Sequence, residues 1–244
     1  MDSYMSVLKS LEHSVMACQS KLNLILVDAS HLEERCVASS ESDYVQAWSK
    51  VHGADGILVP GGFGERGTEG MIAAAQWARE NKTPYLGICL AGSIELSPEC
   101  SNPVIIFMPE VDKTNMGGTM RLGSRPTVFQ EGSDWSKVRK LYADKKVITE
   151  RHRHRYEVNP DYIESLSKAG LHFIGKDEKG VRMEIIELQN HPWYIQLKRG
   201  SSPPQRNAFP PVKPREVFKK RYKTIVKLGY GGGSTVWLVR DLNL

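Results

Sequence analysis

The run "YLGICLAGSIE", residues 85–95, brings an apolar, strand-like segment to a single thiol, Cys89, and then turns at small residues into helix-forming text. A nucleophile elbow has this shape, with glycines two positions to either side of the nucleophile; here Gly87 is in place, Ala91 replaces the second glycine and Gly92 comes one position late. Small flanking residues let strand and helix approach each other, and the amide of the next residue, Leu90, can face an oxyanion. The same residues also read as a buried strand-end cysteine, a common state of free thiols. In "VPGGFGERGTEG", residues 59–70, two consecutive glycines follow a strand, where N–H groups with no side chain in front of them can meet an anion or form a tight turn. In "RHRHRYEVN", residues 151–159, strand alternation sends Arg151, Arg153 and Arg155 to one face and His152 and His154 to the other.

These residues need a scaffold. The opening segment has Val7, Leu8, Leu11 and Val15 at helical spacing, and "KLNLILVDAS" reads as a buried strand ending at an Asp/Ser turn. "DGILVP" and "TPYLGICL" read as further strands, and between them "TEGMIAAAQWAREN" puts Met71, Ala74, Ala75 and Ala78 on one helical face. Strand, glycine loop, helix and strand in that order predict a doubly wound α/β sheet with its functional loops at the carboxyl ends of the strands, where Cys89 would sit. From Pro103 onward the text changes to short strands and turns, and "RGSSPPQRNAFPPVKP" has the composition of a linker. The expected division is therefore a domain over 1–198, a linker over 199–211 and a strand-rich fragment over 212–244.

Composition narrows the function classes. With 40% hydrophobic and 25% charged residues and no apolar run long enough to span a bilayer, the chain reads as a soluble cytoplasmic protein without a membrane partner. The net charge of +5 is modest and gives no reason to expect nucleic acid. Cys18, Cys36, Cys89 and Cys100 show no CxxC pairing and no companion histidine at zinc spacing, which predicts reduced thiols and no metal site.

Together the stretches around Cys89 and Gly62, with "MGGTMRLG" and "RHRHRYEVN", resemble the class I glutamine amidotransferase domain of the CTP synthase family over residues 1–197. The resemblance implies a flavodoxin-like fold, truncated here, and L-glutamine as substrate. It makes Cys89 the nucleophile, Gly62 and the Leu90 amide the oxyanion hole, and Arg155 a glutamine-binding residue. ATP and Mg2+ would belong to the family's synthetase domain, which precedes the glutaminase domain and is absent from this sequence, and CTP synthase subunits are the implied partners. The family's catalytic His and Glu, two residues apart, follow the strand after "NHPW"; this chain has Gly200 and Ser202 there, so impaired activity is expected. His191, within "NHPW", matches a different family position and is not a candidate base. The family's Gln and most of a helix after the nucleophile are also missing from "CLAGSIELSPEC", so Glu95 takes no assigned role. A strand that opens the family domain is absent as well, which predicts an incomplete, marginal sheet. A non-catalytic module that binds CTP synthase, or a fused or mis-spliced product, are the alternatives. The tail "RYKTIVKLGYGGGSTVWLVRDLN" resembles the start of an SR-protein-type serine/threonine kinase, with Gly229, Gly231 and Gly233 in a nucleotide-covering β-hairpin and without the lysine and metal-binding residues that phosphoryl transfer requires.

Overall fold

The computed structural model describes residues 4–60, 66–88, 103–108, 121–154, 156–198, 217–218, 222–231 and 234–241, the last three as backbone only. The chain divides into two units, one of Met1–Ser20 with Ser201–Leu244 and one of Lys21–Gly200. In chain order the elements are α1 (Met5–Ala17), a 3-10 turn (Ala29–Leu32), α2 (Arg35–His52), β1 (Ile57–Val59), α3 (Thr68–Glu80), β2 (Tyr85–Ile88), β3 (Ile105–Phe107), β4 (Arg121–Phe129), α4 (Lys137–Leu141), β5 (Val147–His154), β6 (Tyr156–Val158), α5 (Pro160–Lys168), β7 (Leu171–Lys176), β8 (Met183–Leu188), β9 (Tyr194–Leu197), β10 (Val217–Phe218), β11 (Tyr222–Gly231) and β12 (Ser234–Asp241). No described helix is long and apolar enough to cross a membrane.

The larger unit is built on a seven-stranded sheet of order β1-β2-β9-β8-β7-β4-β5. β1, β2 and β9 run parallel, and the rest of the sheet is antiparallel. Successive strand residues point to opposite faces. On one face Tyr85 and Tyr194 stack at 4.6 Å and pack with Val59 and Ala78 of α3; on the other Leu86 and Ile195 pack with Phe129, Ile174 and Val138 of α4. Helices thus cover both faces, as the alternation of α and β text predicts. β3 and β6 form a separate antiparallel pair, against which α5 lays Ile163 and Leu166 around Val158 and Phe173.

Helix starts are set by local chemistry. Ser136 caps α4 by accepting from the Arg139 amide at 2.9 Å, and Asn159 caps α5 by accepting from Asp161 at 3.1 Å, with Pro160 in the first turn. Gly67, the residue before α3, has a φ of +79° that favours glycine, and a Cβ at Gly70 would stand 1.8 Å from the Ala29 carbonyl oxygen. The absence of a side chain at Gly70 is what lets α3 lie on the 3-10 turn.

The expectation of a buried strand over "KLNLILVDAS" does not hold. Residues 21–28 form neither helix nor strand, and Leu24, Ile25 and Leu26 are 43%, 43% and 50% exposed. The physical reason is pairing: β1 is an edge of the sheet, and among the described residues no strand lies between it and this segment to satisfy the segment's backbone. Val27 packs against the cluster of Leu32, Ala47, Val51 and Ala74. α1 forms where helical spacing placed it, with Val7, Leu8, Leu11 and Val15 half-buried. In the smaller unit β10, β11 and β12 make an antiparallel sheet, and β11 carries Gly229 opposite Val236 and Gly231 opposite Ser234.

Candidate active site

Three strand ends define the place. β1 and β2 are in register with Val59 beside Gly87, and β2 and β9 with Ile88 beside Leu197, so all three carboxyl ends meet at one end of the sheet. In the chain Cys89 follows Ile88, Gly62 comes three residues after Val59, and Lys198 follows Leu197. Cys89, Leu90, Gly62, Arg155, Gly200, Ser202 and Gly233 themselves lie outside the described residues, so the geometry of the site is read from the residues that flank them.

β4 and β5 extend past this same end. Val128 and Phe129 pair with Lys176 and Gly175 of β7, leaving residues 121–127 to run on beyond the carboxyl end of β7 in company with β5. The overhang folds back onto β8 through Glu184, a carboxylate only 2% exposed. Arg121 Nε lies 3.1 Å from Glu184 Oε1, an ion pair without hydrogen-bond alignment, and His152 Nδ1 lies 3.2 Å from Oε2. His152 and His154, which alternation puts on one face of the strand, are 1% and 5% exposed. Beside them Arg182 pairs with Glu157 at 3.2 Å and with Asp177 at 3.5 Å.

Lys198 completes this buried group. Its backbone amide donates to the Glu184 carbonyl at 2.9 Å, while its Nζ is buried without a hydrogen-bond partner among the described residues. Burial pushes the ammonium down to about 8, against the upward pull of Glu184 and Glu157. Burial likewise lowers His154 to about 2, with Lys198, His152 and Arg121 adding repulsion, so that its ring stays neutral across the physiological range. Lys198, Glu184, Thr127, Tyr142 and His152 line a small internal cavity of about 10 Å³, the size of one water.

His191 is excluded as a base by its contacts. Its Nε2 donates to the Ala78 carbonyl at 3.1 Å, and its Nδ1 accepts from the Trp193 amide at 3.2 Å, so both nitrogens tie α3 to the start of β9. The described thiols are Cys18, exposed, and Cys36, buried with its Sγ 3.7 Å from the Ser40 carbonyl.

Residues 1–196 match the family model described as "Glutamine amidotransferase class-I". The chain belongs to the class I glutamine amidotransferases. The amidotransferase is 53% identical over 214 residues to the CTP synthase of Eremothecium gossypii and 56% identical over 212 residues to that of Neurospora crassa; each match covers 80% of this chain. It spans 37% of the length of each of these relatives. Among solved structures it resembles "Trypanosoma brucei CTPS - glutaminase domain with bound acivicin", at 33% identity with a TM-score of 0.71, over 82% of this chain and 80% of that one. The mixed sheet covered by helices on both faces is thus the flavodoxin-like class I amidotransferase fold, of the CTP synthase glutaminase kind.

Sequence reasoning did not find the buried group under the β4–β5 overhang. The His-x-His alternation was visible, but Glu184 comes from a strand about thirty residues later, inside the apolar text "MEIIEL", where only its burial distinguishes it from an exposed carboxylate.

Proposed function

We propose that this chain is the glutamine-hydrolysing part of a CTP synthase, with Cys89 as nucleophile. The thiolate sulfur attacks the side-chain carbonyl carbon of glutamine, the oxyanion is held by the Gly62 and Leu90 amides, the C–N bond breaks and ammonia leaves. Water then opens the glutamyl thioester to glutamate and restores the thiol. Arg155 holds the substrate carboxylate through two parallel bonds. The observation that carries this reading is the register of β1, β2 and β9, which brings Val59, three residues before Gly62, and Ile88, the residue before Cys89, to one end of the sheet. Ammonia would serve the amination of UTP to CTP; that step, with its ATP and Mg2+, belongs to the part of the relatives this chain does not match.

Turnover is slow on this reading. Thiolate formation needs a base and the departing ammonia needs an acid. Gly200 and Ser202 offer neither, and both nitrogens of His191 are committed. The experiment is mass spectrometry after incubation with an electrophilic glutamine analogue: slow labelling confined to Cys89, suppressed by glutamine and lost in Cys89→Ala, supports the proposal. Equal labelling of exposed Cys18, or labelling that glutamine does not suppress, contradicts it.

A second reading, a module that docks on CTP synthase subunits, is favoured by the exposed Leu24–Leu26 segment and the open edge of β1. Co-sedimentation with a full-length CTP synthase tests it. For the tail, the likeness to a glycine-rich kinase hairpin rests on its sequence alone.

A further inference from the structure

We propose that His152, His154 and Glu184 form a binding site for a divalent transition-metal ion of the zinc type, independent of the glutaminase reading. The geometry is specific. His152 Nδ1 lies 3.2 Å from His154 Nε2 and 3.2 Å from Glu184 Oε2, and His154 Nε2 lies 3.9 Å from the same oxygen. The point equidistant from these three atoms is about 2 Å from each, the usual length of a bond from zinc to nitrogen or to a carboxylate oxygen. An ion placed there lies in the plane of the three atoms, and small shifts of the side chains would let it rise from that plane to take a fourth ligand.

Lone pairs point the same way. His154 Nδ1 lies 3.1 Å from the Tyr156 carbonyl oxygen, which can only accept, so the proton sits on Nδ1 and Nε2 offers its lone pair to the centre. An outer hydrogen bond of this kind, from a ligating histidine to a backbone carbonyl, fixes tautomer and ring orientation in metal sites. Glu184 turns its other oxygen, Oε1, to Arg121 at 3.1 Å, an ion pair that leaves Oε2 facing the two imidazoles. Without an ion the triangle is poorly satisfied: the one proton His152 Nδ1 can carry reaches either His154 or Glu184, and Glu184 Oε2 is buried with no hydrogen-bond partner among the described residues.

The donor set selects the ion. Two imidazoles and one carboxylate suit zinc, cobalt or nickel, whereas calcium and magnesium require shells of oxygen. Arg121 and the buried Lys198 place positive charge beside the cluster, so the site should bind more weakly than a structural zinc site with several thiolates. A bound ion would join β5 to β8 and brace the β4–β5 overhang.

The test uses the full chain, stripped with a chelator and titrated with Co2+ alone. One equivalent should bind, with the intense visible absorption of a tetrahedral centre, and zinc should displace it. X-ray absorption of the cobalt-loaded chain should show imidazole nitrogens and no sulfur. His152→Ala and Glu184→Gln should weaken uptake at least about tenfold, as loss of even an outer-shell partner does. Because either variant can disturb the fold, the ligand identity in the unaltered chain decides the matter. Sulfur ligation through Cys18 or Cys36, no uptake at millimolar Co2+, or unchanged uptake by folded His152→Ala would overturn the proposal.

Discussion

Glu187 shows what one buried carboxylate does in this fold. It is fully buried, and its oxygens accept from Ser136 Oγ at 2.7 Å, the Lys137 amide at 2.9 Å and the Val138 amide at 3.3 Å, so the first turn of α4 is held by charge-assisted bonds to β8. Glu187→Gln turns a donor toward those donors and should cost about 2 kcal/mol in chemical denaturation; an unchanged midpoint would show the cap to be dispensable. Lys198 gives a pH signature. Its folded pKa of about 8 lies below the ordinary 10.5, so below pH 8 the buried charge destabilises the fold, and the penalty is relieved as pH rises from 8 toward 10.5. Near pH 10 the window closes for the molecule as a whole, because burial raises the phenols of Tyr85 and Tyr194, and stability is lost as their unfolded counterparts ionise. The wild-type chain should therefore gain stability relative to Lys198→Met between about pH 8 and pH 10; parallel profiles would refute the assignment. At this scale the sequence was half legible. Alternation showed that His152 and His154 share a face, but their meeting with Glu184 depends on strands brought together only by the sheet.

At the scale of elements, periodic segments with one plain partner were readable. α3 was, because Ala74 and Ala78 recur at helical spacing, and so were β1 and β2, whose apolar runs end in glycine and cysteine. The segment over residues 22–27 was misread because "LNLILV" has every local mark of a buried strand, while burial depends on a neighbour that no local pattern reports. It is an uncharged, β-prone hexamer with three exposed apolar side chains, a liability for self-association. Ile25→Lys should reduce light scattering on concentration and leave folding stability within about 0.5 kcal/mol. A large loss of stability would place Ile25 in the core instead. At Gly70 the opposite holds: Gly70→Ala forces a methyl into the Ala29 carbonyl and should cost about 1–3 kcal/mol, as overpacking does, measured by thermal unfolding.

For the whole molecule, the family was legible because several motifs far apart in sequence agree, each weak alone; the register of β1 and β2 brings the positions before two of them, the Gly62 loop and Cys89, to one end of a single sheet. What the sequence could not reveal was the meeting of Arg121, His152, Glu184 and Lys198, because they come from segments far apart in the chain that only the sheet brings together. The central proposal is that Cys89 is the nucleophile and that the loss of the His/Glu pair, with Gly200 and Ser202 in its place, is what limits turnover. Glutamate release from glutamine, compared between the chain and its Gly200→His/Ser202→Glu variant, tests it most directly. Restoring the pair should raise the rate by at least about 100-fold, with Cys89→Ala abolishing the gain. Equal rates with and without the pair, or a gain that survives loss of Cys89, would contradict the account.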